Sequence, residues 1–199
     1  MRKIAMVVGM LMISSSCVFA MPDRVGKVDA GFNVGGLLSS EKELDSSVYL
    51  GGSVSYGFTD WFALGVEGGW GDSDANFVNG GSGKVTRVPL FMDMIFRYTK
   101  SEYNYVPYGL IGIGALFTSQ HGTGTLNSLN LRMDAPDTFA MKFGLGVDWF
   151  VNDKWVVNAE AAYIWASDDV ELLNSRGISI DSADLDYWTI TGGVKYLFD

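Results

Sequence analysis

From residue 139 onward the side chains alternate. Phe139, Met141, Phe143, Leu145, Val147, Trp149 and Val151 fall on one face, and Ala140, Lys142, Gly144, Gly146, Asp148 and Phe150 on the other. A period of two predicts a β-strand. Asn152, Asp153 and Lys154 mark a tight turn, after which Trp155, Val157, Ala159, Ala161, Tyr163 and Trp165 alternate with Val156, Asn158, Glu160, Ala162 and Ile164. Residues 139–165 therefore predict a hairpin. One face is apolar for roughly the ten residues a tilted strand needs to cross a bilayer, with aromatics near its ends; the other carries charges beside glycines. A soluble sandwich also has an apolar face, so the hairpin alone leaves both readings open.

The same alternation recurs along the chain. Val28, Ala30, Phe32 and Val34 stand against Lys27, Asp29, Gly31 and Asn33; Val48, Leu50, Val54, Tyr56 and Phe58 against Tyr49, Gly51, Ser53, Ser55 and Gly57. Leu64, Val66 and Trp70 oppose Ala63, Gly65, Glu67 and Gly69, and Val88 to Tyr98 alternates with Arg87, Pro89, Phe91, Asp93, Ile95 and Arg97. The run 106–117 predicts a strand with both faces apolar or glycine, so its orientation is unreadable. A last strand sets Trp188, Ile190, Val194, Tyr196 and Phe198 against Tyr187, Thr189, Thr191, Gly193, Lys195 and Leu197.

That makes about eight strands, whose connections alternate strictly in length. Those at 35–47, 72–84, 120–137 and 167–183 are long and polar; those at 59–61, 99–103 and 152–154 are short. In outer-membrane barrels the periplasmic turns are short and the outward loops long, and closure leaves no unpaired edge in lipid. The expected fold is all-β: an eight-stranded antiparallel transmembrane up-and-down β-barrel, with both termini in the periplasm. A lipocalin-like soluble barrel shares the pattern but would turn its apolar face inward.

Composition agrees with a β protein: 25 glycines, 14% aromatic and only 19% charged residues. The start of the chain changes the picture further. Arg2 and Lys3, an apolar run at 4–13, and Val18 and Ala20 as small residues give the layout of a secretory signal peptide cleaved after Ala20. The expected parts are a signal peptide at 1–20 and a barrel domain at 21–199. Cleavage removes the single cysteine, Cys17, and with it cysteine-based metal chemistry. A lipid-carrying Cys17 is the rival reading, but such signals want a Leu-like residue where Ser14 stands. The net charge of -9 becomes more negative once Arg2 and Lys3 are lost, which argues against nucleic acid as a partner.

On the expected inward face stand Lys27, Arg87, Arg97, Lys142 and Lys195 with Asp29, Glu67, Asp93, Asp148 and Glu160. Equal numbers of each sign predict a narrow lumen bridged by ion pairs, with Arg87, Arg97, Lys142 and Lys195 meeting Asp93, Asp148, Glu67 and Glu160 across neighbouring strands. Sites for other chemistry are weak. His121, the one histidine, lies near Ser119 without an orienting acid, so it reads as an ordinary loop residue rather than a catalytic one. Asp72, Ser73, Asp74, Ala75 and Asn76 begin like a calcium loop, yet Phe77 replaces the turn glycine and Gly83 the closing glutamate; a solvated turn is the better reading. Gly80, Gly81, Ser82, Gly83 and Lys84 lack the spacing of a phosphate loop. No catalytic residue, metal site or cofactor is expected.

Val88-Pro89, Pro107-Tyr108-Gly109 with Gly112 and Gly114, the segment GVDWFVNDKWVVN at 146–158, and the closing Gly193-Val194-Lys195-Tyr196-Leu197-Phe198 resemble the small eight-stranded outer-membrane barrel superfamily. The second half looks most like outer membrane protein W and its relatives. The resemblance implies a bacterial outer-membrane protein that contacts outer-membrane lipid and lipopolysaccharide. It also implies a terminal aromatic signal read by the barrel-assembly machinery, here Tyr196 and Phe198 with Asp199 following. W-like members are thought to pass small hydrophobic molecules, whereas others anchor, adhere or stabilise the envelope. Both function classes are carried forward: passage of a small hydrophobic solute, and a non-conducting anchor or surface-interaction module acting through its loops.

Overall fold

The computed structural model describes residues 23–39, 47–76, 82–99, 104–122, 132–134, 137–167, 169–173 and 179–199. The expected signal peptide lies outside them. Eight strands close a barrel: β1 (Val28–Ser39), β2 (Ser47–Gly57), β3 (Phe62–Asn76), β4 (Ser82–Arg97), β5 (Tyr105–Gly122), β7 (Thr138–Phe150), β8 (Trp155–Ala166) and β11 (Tyr187–Phe198). Each pairs antiparallel with its neighbours, and β1 meets β11 from Val28↔Phe198 to Ser39↔Tyr187. Three short strands, β6 (Arg132–Asp134), β9 (Asp169–Leu173) and β10 (Ser179–Asp184), form a second sheet within the long connections.

The faces decide between lipid and water. Leu145 is 73% exposed and Phe32 and Met92 are each 58% exposed, while Arg87 is 0% and Lys142 and Asp148 are each 1% exposed. Large apolar side chains outside and charges inside invert the arrangement that water imposes, and match a wall facing hydrocarbon. Aromatics gather at both ends of this wall. Trp61, Phe96, Tyr98, Trp155 and Tyr196 lie toward the short turns, and Trp70, Phe117, Phe139, Trp165 and Trp188 toward the long connections, as at two membrane interfaces. Trp155 packs edge-on against Tyr196 at 5.0 Å, and Tyr196 against Phe198 at 4.8 Å.

The short turns have local causes. Asn152 Oδ1 accepts from the backbone N–H groups of Lys154 (2.9 Å) and Trp155 (2.8 Å), and Thr59 Oγ1 accepts from Phe62 N–H (3.0 Å), so each side chain caps the backbone as it reverses.

Several boundaries differ from the sequence reading. The first strand runs on through Gly35 and Gly36 to Ser39, β3 continues to Asn76, β4 begins at Ser82 and β5 reaches Gly122. Beyond the hydrocarbon no face must be apolar, so a strand continues without the alternation that would reveal it. Asp72 to Asn76 is therefore extended strand, with Asp72 Oδ1 accepting from Thr86 Oγ1 at 2.7 Å, rather than a solvated turn or an ion-wrapping loop. Ser119 and His121 lie within β5, and Gly80 and Gly81 lie outside the described residues. The unreadable strand resolves with Val106, Tyr108, Leu110 and Leu116 inward and Ile111, Ile113 and Phe117 outward.

With an even number of barrel strands, all long connections share one end. Protease added to intact cells is expected to cut the chain within 35–47, 120–137 or 167–183 and to spare 152–154; cutting at 152–154 would invert the topology.

Candidate functional site: the lumen

Nine of the ten charged residues expected inside are there. The exception is Lys27. It precedes β1, its side chain is 29% exposed, and it reaches Asp199 at 3.5 Å on the short-turn rim, because only from Val28 does the chain join the sheet. Lys154 meets the same carboxylate at 2.6 Å, which holds Asp199 below the ordinary carboxylate range and raises the Lys154 ammonium. These pairs lie in water, and exposed pairs contribute little to stability.

The inward side chains form three tiers. At the short-turn end, Asp148 Oδ1 accepts from Lys195 Nζ at 3.0 Å and Asp148 Oδ2 from Arg24 Nη1 at 2.9 Å. Arg97 Nη2 donates to Asp29 Oδ2 at 3.1 Å. Arg24 carries no signal in the alternation, since it precedes every strand. A turn brings it in: Gly26 takes φ +74°, its N–H donates to Gly57 O at 2.8 Å, and Lys27 N–H donates to Arg24 O at 3.2 Å. The Arg24 guanidinium then lies 4.6 Å over the Phe150 ring. Val106, Phe150 and Val156 pack beneath as a small apolar floor. Arg24→Met is expected to destabilise the barrel by about 1.5–3 kcal/mol, since Asp148 loses one of two charged partners but keeps Lys195; urea titration of the refolded protein measures it.

The middle tier centres on Lys142. Its Nζ lies 2.8 Å from both Glu67 Oε2 and Glu160 Oε1 and 3.9 Å from Asp93 Oδ2. The register explains the meeting: Asp93, Gly112 and Lys142 stand in one row across β4, β5 and β7, and a Cβ at position 112 would collide with the Asp93 carboxylate. Two phenols complete the acceptors, Tyr49 donating to Glu67 Oε1 at 3.2 Å and Tyr108 to Glu160 Oε2 at 2.9 Å. The pairing joins strands across the lumen, with β7 reaching β3, as well as neighbours. A cavity of about 20 Å³ remains beside Asp29, Ser55, Glu67 and Asp93, room for about one water.

The third tier, next to the long connections, is apolar. Leu37, Val85, Leu116, Ala140, Ile164, Leu185 and Tyr187 are all buried there, at strand ends or in the link before β11. Arg87 stands among them. Its Nη1 donates to Ser73 Oγ at 2.8 Å and its guanidinium lies 5.4 Å from the Tyr187 ring centre. The expectation that it would meet a carboxylate fails: among the described residues no ion pair reaches it, because the inward acids Glu67, Asp93 and Glu160 sit closer to the short turns, and Asp72, at its own level on β3, faces the other way and accepts from Thr86. The wall is uneven at this level. The β3–β4 register passes from Gly68↔Leu90 to Gly71↔Arg87, leaving Gly69 and Trp70 unbridged to Val88 and Pro89; Pro89 has no N–H to give the ladder.

The sequence matches the family described as outer membrane protein beta-barrel domain over residues 7–198. It is 26% identical to outer membrane protein W of Vibrio cholerae serotype O1 over 174 residues, covering 79% of this chain and 77% of that one. The fold is similar to the crystal structure of outer membrane protein OprG from Pseudomonas aeruginosa, with a TM-score of 0.76, 14% identity, and coverage of 90% of this chain and 99% of that chain. It is also similar to the solution structure of outer membrane protein W of E. coli, with a TM-score of 0.55, 18% identity, and coverage of 88% and 99%.

Proposed function

Because the chain belongs to the outer membrane protein beta-barrel domain family, and so to the bacterial outer membrane, we propose that it passes small hydrophobic molecules from the outside into that membrane. The observation that carries this reading is the division of the lumen. Its outward third is packed with buried apolar side chains, while the two tiers below are filled by buried ion pairs. An apolar solute is stabilised in the first and excluded from the second, where it would separate charges that are tolerable only when paired. Its way on is sideways, and at this level the ladder between β3 and β4 is interrupted at Gly69–Trp70 against Val88–Pro89, the one break within the described barrel ladders. Outer-membrane lipid and lipopolysaccharide surround the barrel, and the assembly machinery reads Tyr196 and Phe198 at the end of β11.

The test is uptake of an apolar dye that fluoresces in lipid, by cells with an intact lipopolysaccharide leaflet. Uptake is expected to be faster with the protein than without it. Equal uptake would favour the second reading, a non-conducting surface module, for which the β6–β9–β10 sheet in the long connections offers a structured outer surface.

A further inference from the structure

Of the five buried bases, four are paired with carboxylates: Arg24 and Lys195 share Asp148, Arg97 meets Asp29, and Lys142 meets Glu67 and Glu160. Arg87 is not. It is 0% exposed and always charged, and among the described residues it has no carboxylate partner. Two acids adjacent in sequence to its contacts are engaged elsewhere: Asp72 with Thr86, and Asp186 with Tyr163 and the Ala166 N–H. Arg24 and Arg97 also keep buried N–H groups without acceptors but have a carboxylate beside them, whereas at Arg87 three donors lack acceptors, its Nε, its Nη2 and the neighbouring Tyr187 hydroxyl. Nε and Nη2 form one complete edge of the guanidinium, the edge that takes both oxygens of a carboxylate at once. Ser73 occupies the other side through Nη1. The same tier holds Leu37, Leu116 and Leu185, each 0% exposed and clustered with Tyr187.

We propose that Arg87 is the anchor of a binding site for carboxylate-headed amphiphiles: small molecules with one anionic head, held by the Nε/Nη2 edge and the Tyr187 hydroxyl, and an apolar body lying in the outward third of the lumen. The inference rests on the reading of that third as the solute's entry and narrows the solute to an anionic class. A buried charge with no counter-ion is destabilising, and a carboxylate supplies the missing charge and acceptors together. The apolar lining disfavours a small hydrophilic anion, which would lose its hydration and gain only the head contacts.

The experiment uses the full barrel refolded in zwitterionic micelles at neutral pH, titrated with octanoate, octanol or acetate carrying ¹³C at carbon 1. Binding is read as the saturable change in the ¹³C signal after subtraction of protein-free micelles. Octanoate is expected to bind at least about tenfold more tightly than octanol, which cannot form the charge-assisted hydrogen bonds, or acetate, which has no apolar body to bury. Arg87→Met is expected to abolish the preference of octanoate over octanol while leaving octanol unchanged, and Tyr187→Phe to reduce it several-fold. Equal binding of octanoate and octanol to the unaltered protein would overturn the proposal without needing any variant to fold. Acetate binding as tightly as octanoate would also overturn it, leaving only a small-anion site. No gradient or transport is involved, so failure here leaves the passage of apolar solutes standing, and a failed dye-uptake test leaves the binding result intact.

Discussion

Replacing Leu145 by arginine is expected to lower the stability of the folded barrel by about 2–4 kcal/mol, the cost of a basic side chain near the bilayer midplane. Leu145 lies in the second half of β7 and is 73% exposed, the largest exposure among the described large apolar residues. In water such a change would cost almost nothing, and in lipid the guanidinium must stretch to the interface or carry water with it. Val151→Arg, one residue past the end of β7 and 57% exposed, is the matched control, for which the cost should fall to about 0–1 kcal/mol. Gly144→Arg points inward, where even a Cβ meets Ala162 and Leu110 at 3.1 Å, so its loss would be steric. Urea unfolding in liposomes separates the three. A costless Leu145→Arg would mean that inside and outside are reversed.

Lys142→Met is expected to be the more damaging change, by about 3–5 kcal/mol, the penalty for breaking a buried ion pair by removing one partner. One ammonium here serves Glu67, Glu160 and Asp93, with its own side chain 1% exposed and theirs 9%, 8% and 5%. Without it three carboxylates remain in the middle tier, and the phenols of Tyr49 and Tyr108 supply hydrogen bonds but no charge. Adding Glu67→Gln and Glu160→Gln to Lys142→Met should recover much of the loss, since amides are not stranded charges. Refolding yield and urea midpoint measure both. A triple variant no better than the single one would show that Lys142 acts by packing rather than by charge.

The sequence reveals what the bilayer imposes and hides what it does not. Strands β7 and β8 are legible because every second side chain must be apolar to face lipid, and Asn152 in the turn announces its own hydrogen bonds. Where the lumen is itself apolar, as at Val106, Leu110 and Leu116, both faces look alike and β5 loses its orientation. Above the hydrocarbon, Gly35, Gly36 and Asp72 to Asn76 sit in strands that no alternation marks. Arg24 is invisible because it enters from below through the Gly26 turn rather than from a strand. Arg87 is visible as an inward base, but its lack of a carboxylate partner depends on the level at which it sits. Level follows from strand length and stagger, which the period of two does not encode.

If buried ion pairs close the lower lumen while its apolar outward third admits solute that leaves sideways, the barrel must be nearly closed to ions. Planar-bilayer conductance of the refolded protein reads this without any solute. The unaltered barrel is expected to show little or no steady ion current, and Glu160→Gln, which removes one of the two carboxylates closest to Lys142 at 2.8 Å, to lower stability and raise the current. Large, steady currents through the unaltered protein would contradict the closed lower lumen and make an open water-filled pore the function.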